Sequence, residues 1–128
     1  MAYLTREQIL GVDHFPTEDV DVSEWGGLVR VRGLSAAELD TFEQSRLEQR
    51  KGGKIRLNLA NTRARLCSLC VVDQDGKRMF READIATLGK KGGRAVDRVY
   101  EVAARLSGIK DEDLEEVAKN CENGQSDA

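Results

Sequence analysis

Proline, histidine and aromatic side chains are scarce in this chain of 128 residues, which has one proline, one histidine, three phenylalanines, two tyrosines and one tryptophan. His14 has no serine, cysteine or aspartate partner at a spacing typical of nucleophilic catalysis. The longest apolar runs fall well short of the roughly 18 residues that a membrane-spanning helix needs. The sequence therefore gives no positive case for an enzyme and none for a membrane protein.

Cysteine is also scarce, because the chain has only three. Cys67 and Cys70 have the spacing used by redox dithiols and zinc sites, but they lie within an apolar helical run. A four-ligand metal site would have to add both the remote His14 and Cys121. We therefore expect two buried thiols that fill a core, without disulfide, metal or cofactor.

The composition is that of a soluble globular protein, with 40% apolar and 34% charged residues and a mean hydropathy of -0.50. A chain of this length holds one domain with a modest core. The N-terminal residues lack the basic and apolar segments of a secretory signal. We therefore expect a cytoplasmic protein.

Charge is distributed in blocks along the chain, although the net charge is only -3. Residues 1–45 have 3 basic and 9 acidic side chains, residues 46–65 have 7 and 1, and residues 111–128 have 1 and 7. The basic segment 46–65 is a candidate nucleic-acid interface. Alternatively it is a solvated edge that faces the acidic ends of the same molecule, and the absence of interleaved aromatic residues favours this interpretation.

A β-hairpin is predicted near the N-terminus, where Glu18–Val22 alternates with strand periodicity and Leu28–Arg32 forms the return strand. If Gly26 and Gly27 form a two-residue turn, Val22 faces Val31 and Asp21 faces Arg32. Asp75 and Gly76 indicate a second small hairpin between residues 71–74 and 77–80.

The other patterns are typical of helices. Capping boxes at Thr5 and Ser35 begin two of them, which end near Leu10 and Arg50. Further helical segments are predicted from about residue 57 to 72, 82 to 88, 94 to 106 and 112 to 120. The predicted core comprises Phe42, Leu66, Leu69, Val96, Val99, Tyr100 and Ala103.

The predicted fold class is α+β and predominantly helical, with four to five helices and two small β-hairpins in a single compact domain. Residues 1–120 form the predicted domain and residues 121–128 a disordered tail, since the tail has nothing to bury.

Two apolar groups are candidate partner-binding residues. Trp25 and Leu28 lie at the predicted hairpin tip, where Trp25 is either an interface anchor or a lid on the core. Leu114, Val117 and Ala118 share one face of the last predicted helix. That face either covers an apolar stripe of a partner or packs on the chain's own core.

The order of these parts resembles a known family. Four segments, in this order along the chain, are similar to those of the tail assembly chaperones of long, flexible-tailed phages. They are Trp25-Gly26-Gly27, the strand and capping box from Val29 to Glu38, the Asp75-Gly76 hairpin ending in Phe80, and the C-terminal segment from Leu106 to Asn120. The resemblance covers roughly residues 4–120.

The resemblance implies a non-enzymatic chaperone that binds the tape measure protein and the tail tube subunits, including the major tail protein, during assembly. It implies absence from the mature virion, action in the host cytoplasm and possible self-association. A rival from another class is a small nucleic-acid-binding or regulatory protein that uses segment 46–65. Membrane binding is not expected.

The resemblance also implies a longer product made by a programmed -1 ribosomal frameshift. Ala118-Lys119-Asn120 can be encoded as GCA AAA AAC, which contains the slippery run A AAA AAC. Slippage there changes only the predicted tail, whereas slippage at Gly89-Lys90-Lys91 would remove the last two predicted helices. We therefore expect a minor longer form that shares residues 1 to about 120.

Overall fold

The computed structural model describes residues 2–58 and 60–109 and places them in one α+β domain. Its helices are α1 (Arg6–Leu10), α2 (Ala36–Ser45), α3 (Thr62–Cys70), α4 (Ile85–Leu88) and α5 (Gly93–Ser107). Its strands are β1 (Thr17–Val22), β2 (Gly27–Arg32), β3 (Leu47–Arg50), β4 (Lys54–Leu57) and β5 (Val71–Val72). This confirms the predicted helix-rich α+β class.

Two antiparallel sheets support the fold. The larger has the strand order β1-β2-β5, and the smaller is the hairpin of β3 and β4. Helix α5 packs against α3 on one side and against β1 and β2 on the other. The core therefore lies between one face of the larger sheet and the helices.

Among the described residues, the core is built from small and medium apolar residues and the buried ring of Phe42, and the partly buried Phe80 and Tyr100 pack against it. Val22, Val31, Phe42, Leu66 and Val99 are fully buried. Of the predicted core residues, Phe42, Leu66, Val96, Val99 and Ala103 are buried, while Leu69 and Tyr100 are partly buried. The amphipathic face predicted for α5 is confirmed.

The first hairpin exists, but its predicted register is wrong. Val22 faces Gly27 instead of Val31, and Asp21 faces Leu28 instead of Arg32. Ser23–Trp25 form a 3-10 turn that ends at Gly26, whose φ is 87°. The loop is thus four residues long instead of two, and its centre lies two residues earlier in the chain than the predicted turn. The displacement preserves which face each residue occupies, so Val22 and Val31 remain buried.

The helix predicted to run to Arg50 ends at Ser45, and residues 47–57 form the β3–β4 hairpin. Lys51–Gly53 link its strands, and Gly52 and Gly53 have φ of 86° and 75°. Glycine adopts this left-handed conformation at little cost, so the two glycines turn the chain back rather than only ending a helix. The helix predicted from residue 57 begins at Thr62.

The predicted capping boxes at Thr5 and Ser35 are both formed. The Asp75-Gly76 turn is also confirmed, although β5 has only two residues and pairs with the return segment through a bridge between Val72 and Arg78. Asp73 accepts hydrogen bonds from the backbone N–H groups of Asp75 and Lys77, at 2.8 and 3.0 Å.

The helix predicted at 112–120 and the tail at 121–128 lie outside the described residues, so the boundary at residue 120 stays a prediction. Within the described residues, no helix is long and apolar enough to cross a membrane.

Gly33 allows the chain to pass closely beneath the end of α5. A Cβ atom at this position would lie 2.5 Å from the carbonyl oxygen of Leu106. Gly33→Ala must therefore displace backbone, and we expect it to lower the free energy of unfolding by about 2 kcal/mol. Chemical denaturation measures the change. The control is Gly27→Ala, where a Cβ meets nothing within 4 Å; an equal effect of both substitutions would contradict the steric account.

Candidate partner-binding surface

Trp25 and Leu28, the two candidate partner-binding residues of the hairpin tip, lie together on an apolar groove. They line it with Met79 and Phe80, and the groove has a volume of about 490 Å³. Leu28 is 71% exposed, Met79 53% and Trp25 37%. We call this feature the sheet-face groove, because it lies on the face of the β1-β2-β5 sheet that carries Leu28 and Arg30.

The floor of the sheet-face groove is part of the folded core sheet. Val72 pairs with Arg30 across the β2–β5 ladder, shares its face of the sheet and is 2% exposed. Arg30 forms an ion pair with Asp19 at 3.2 Å and donates a hydrogen bond to the backbone oxygen of Gln74 at 3.3 Å. The groove therefore combines an apolar centre with a polar end.

The Asp75-Gly76 hairpin brings Met79 and Phe80 to the groove. The backbone N–H of Met79 donates to the carbonyl of Val71 at 3.1 Å, which holds the return segment beside β5. The sequence analysis did not identify Met79 or Phe80 as partner-binding residues. The predicted turn places residues 77–80 beside residues 71–74, but nothing in the local sequence places them beside Trp25 and Leu28.

The hairpin tip that carries Trp25 is anchored to α5 by an ion pair. Arg98 Nη1 and Nη2 donate to the two carboxylate oxygens of Glu24 at 2.8 and 3.1 Å, and Arg98 Nη1 also lies 3.4 Å from the backbone oxygen of Asp21. Hydrogen bonds from Arg98 first, and then from the Glu24 backbone N–H and the Ser23 hydroxyl, lower the pKa of Glu24 from 4.5 to about 2. Trp25 thus occupies a fixed position at the end of the groove.

The Glu24–Arg98 pair makes stability depend on pH. Because the pKa of Glu24 is lower in the folded chain, the pair stabilises the fold above about pH 4.5 and ceases to do so as the pH falls toward about 2. We expect the difference in melting temperature between the wild-type and Glu24→Gln chains to shrink over that range. High salt should shrink it too, because the pair is exposed. A difference that is independent of pH would contradict this role.

A second apolar surface lies in the N-terminal segment. Helix α1 buries none of its residues. Tyr3, Leu4, Ile9, Leu10 and Val12 are all at least 56% exposed. A helix of five residues is not stable by itself in water, so a formed but unpacked α1 indicates a segment that is available for contact.

The two cysteines of the described residues fill the core, as predicted. Cys67 is 1% and Cys70 0% exposed, and neither is in a disulfide. Burial raises the pKa of each thiol to about 12, which keeps both protonated at neutral pH and unsuited to metal ligation. No group of three or more potential metal ligands occurs among residues 2–58 and 60–109. His14 lies in an exposed loop.

Part of the basic segment 46–65 is engaged in contacts within the domain. Arg46 is buried, Arg63 forms an ion pair with Asp97 at 3.0 Å, and Arg65 donates to the backbone oxygen of Ser45 at 3.2 Å. Lys51, Lys54 and Arg56 of the β3–β4 hairpin are exposed. Three of the arginines are thus engaged in contacts within the domain.

The second predicted apolar group, Leu114, Val117 and Ala118, lies outside the described residues. Apart from Leu47 and Ile55 on the β3–β4 hairpin, the exposed large apolar residues of the described part of the chain lie in the sheet-face groove and the N-terminal segment. Neither contains a constellation of acid, base and nucleophile, and both are suited to binding another polypeptide through apolar side chains.

Comparison with known proteins agrees with a binding role. A family model described as phage tail assembly chaperone matches residues 8–120. Comparisons with curated proteins and with solved structures find no match.

Proposed function

This chain belongs to the phage tail assembly chaperone family, and we propose that it binds the tape measure protein and the tail tube subunits while a phage tail assembles. In this proposal the protein is non-enzymatic, acts in the host cytoplasm and is absent from the mature virion. The observation that carries the proposal is the sheet-face groove, whose Trp25, Leu28 and Met79 remain exposed although they are apolar.

An exposed apolar groove fits a client whose own apolar stripes would otherwise aggregate. A helix with apolar residues at positions i, i+3, i+4 and i+7 lays such a stripe into a groove of this kind. The ion pair of Arg30 with Asp19 at the polar end supplies groups that fix the orientation of the client. Binding thus depends chiefly on apolar burial and only secondarily on charge.

The test is co-expression of this chain with the cognate tape measure protein. We expect the soluble fraction of the tape measure protein to rise, and the complex to persist when the salt concentration is increased. A nucleic-acid binder that used segment 46–65 would instead lose affinity for nucleic acid steeply with salt. An unchanged soluble fraction of the tape measure protein would contradict the proposal.

The longer frameshifted form is part of the same proposal. Its site, Ala118-Lys119-Asn120, lies outside the described residues. We expect the gene to encode these residues as a slippery run followed by an open -1 frame, and mass spectrometry of infected cells to detect peptides from the extension. Codons without the run, or a closed -1 frame, would rule out the longer form.

A further inference from the structure

The sheet-face groove continues past its apolar centre into a second concavity. Asp19, Arg30 and Gln74 line both, and the second concavity has a volume of about 440 Å³. Its remaining walls are formed by the start of β1 and by the Asp75-Gly76 turn. The groove and the second concavity together therefore form one continuous depression on the surface of the domain.

Carboxylates outnumber cations along this depression. Among the described residues that line it, four are acidic and one, Arg30, is basic. The acidic residues are Glu18, Asp19, Asp73 and Asp75. We call the second concavity, where three of them lie, the acidic extension. A ligand that follows the depression away from its apolar centre therefore meets negative charge.

Two of the four carboxylates are neutralised within the domain. Arg105 Nη2 lies 2.6 Å from a carboxylate oxygen of Glu18, and Arg30 Nε lies 3.2 Å from one of Asp19. Ion pairs at the surface of a protein contribute little to its stability, but each of these pairs cancels one negative charge. The negative charge that is open to a ligand therefore comes from the other two carboxylates, which belong to the turn.

The carboxylates of the turn, Asp73 and Asp75, form no ion pair with any described residue, Lys77 of the same turn included. One oxygen of Asp73 accepts hydrogen bonds from the backbone N–H groups of Asp75 and Lys77, at 2.8 and 3.0 Å. These bonds hold the carboxylate in position but leave its negative charge in place. Asp73 is half-buried and Asp75 is exposed, so both are accessible to a cation of a partner.

The two parts of the depression are spaced like successive turns of an α-helix. Asp19 and Arg30, which line both parts, are paired across the β1–β2 ladder two residues along β2 from Leu28. Two residues of a strand span about 7 Å, and one helical turn rises about 5.4 Å. A helix that packs apolar side chains against Leu28 and Met79 thus reaches the acidic extension one to two turns further on.

We propose that the segment that binds in the sheet-face groove is an amphipathic helix with lysine or arginine one to two turns beyond its apolar stripe, and that Asp73 and Asp75 bind these cations. The inference rests on the proposed function, because it names the chemistry of the client at the same groove. Apolar burial supplies most of the affinity, and charge selects the partner and its direction along the groove. A helix with acidic residues at those positions meets like charges and is rejected.

The test measures binding of three fluorescent helical peptides to the full-length chain by anisotropy. All three have leucine at positions i, i+3, i+4 and i+7, and they have two lysines, two glutamines or two glutamates at i+11 and i+14. We expect the lysine peptide to bind about tenfold more tightly than the glutamate peptide, with the glutamine peptide between them. High salt should reduce this preference, because the ion pairs are exposed.

The variant that tests the acidic extension is Asp73→Asn combined with Asp75→Asn. Asparagine keeps a side-chain oxygen that accepts the backbone hydrogen bonds of the turn, so the hairpin is retained while the charge is removed. We expect the preference for lysine over glutamate to fall to about twofold or less. The matched control is Asp13→Asn combined with Asp40→Asn, which removes the same charge from two exposed residues away from the depression and should keep the preference.

A preference for lysine that persists in the Asp73 and Asp75 variant would overturn the proposal, and so would an equal loss of preference in the control. Equal binding of the three peptides by the wild-type chain would also overturn it, while leaving the groove as an apolar client site. If none of the peptides binds, both this proposal and the role of the groove in the chaperone proposal are wrong.

Discussion

Leu28→Lys combined with Met79→Lys should leave the domain folded and weaken binding of the proposed tape measure client at least about tenfold. Both side chains are more than half exposed, so the substitutions remove little from the core. Lysine at position 28 also faces Asp21 in the observed register, which is a favourable cross-strand pair. In a complex, however, two ammonium groups would be buried in an apolar groove, and this costs well over the 1.4 kcal/mol that corresponds to a factor of ten.

The matched control is Leu47→Lys combined with Ile55→Lys. These residues are 42% and 47% exposed on the β3–β4 hairpin, so the control adds the same charge to a different surface. The readout is the soluble fraction of the co-expressed client, with circular dichroism to show that both variants are folded. If the control lowers client solubility as much as the groove variant does, net charge rather than the groove determines binding.

Val99→Asp should abolish cooperative folding. Val99 is 0% exposed in the middle of α5, between α3 and the larger sheet, and an aspartate there is a buried charge without a partner. The expected loss of about 4 kcal/mol or more is comparable with the whole stability of a small domain. Thermal unfolding measured by circular dichroism should show no cooperative transition.

The control for this substitution is Val12→Asp, because Val12 is 67% exposed and contributes nothing to the core. It makes the same chemical change and should leave the melting temperature nearly unchanged. A cooperative transition in Val99→Asp at the wild-type temperature would contradict the assignment of the buried face of α5.

Much of this fold was predictable because it depends on interactions between residues that are close together in the sequence. The capping boxes at Thr5 and Ser35 and the turn at Asp75-Gly76 each depend on side chains within four positions of one another, and all three are formed. The buried face of α5 was predictable because a 15-residue helix repeats its apolar positions often enough to be recognised.

The two glycine pairs show what sequence alone did not determine. Gly26-Gly27 was expected to form a two-residue turn, yet the loop is four residues long, and Glu24 within it pairs with the distant Arg98. Gly52-Gly53 was expected to end a helix, yet it reverses a hairpin whose first strand contains Leu47, Glu48 and Gln49. Leu47, Glu48 and Gln49 also have a good propensity for a helix. The turn at Gly52-Gly53 favours a hairpin, and this preference outweighed their helix propensity.

The candidate surface was predicted in part. Trp25 and Leu28 were identified from their position at a hairpin tip, because an exposed tryptophan near a turn is an interface signal on its own. Met79 and Phe80 were missed, since they reach the groove only through the pairing of β5 with β2. Such a contact between distant segments leaves no local pattern.

The central claim is that the sheet-face groove contacts the client, and photo-crosslinking tests it most directly. A photoreactive amino acid is placed at Leu28 in one chain and at Ile55 in another, and each chain is expressed with the cognate tape measure protein. Both positions are exposed enough to accept the label. We predict a crosslink to the tape measure protein from position 28 and none from position 55. A crosslink from position 55 alone would contradict the account.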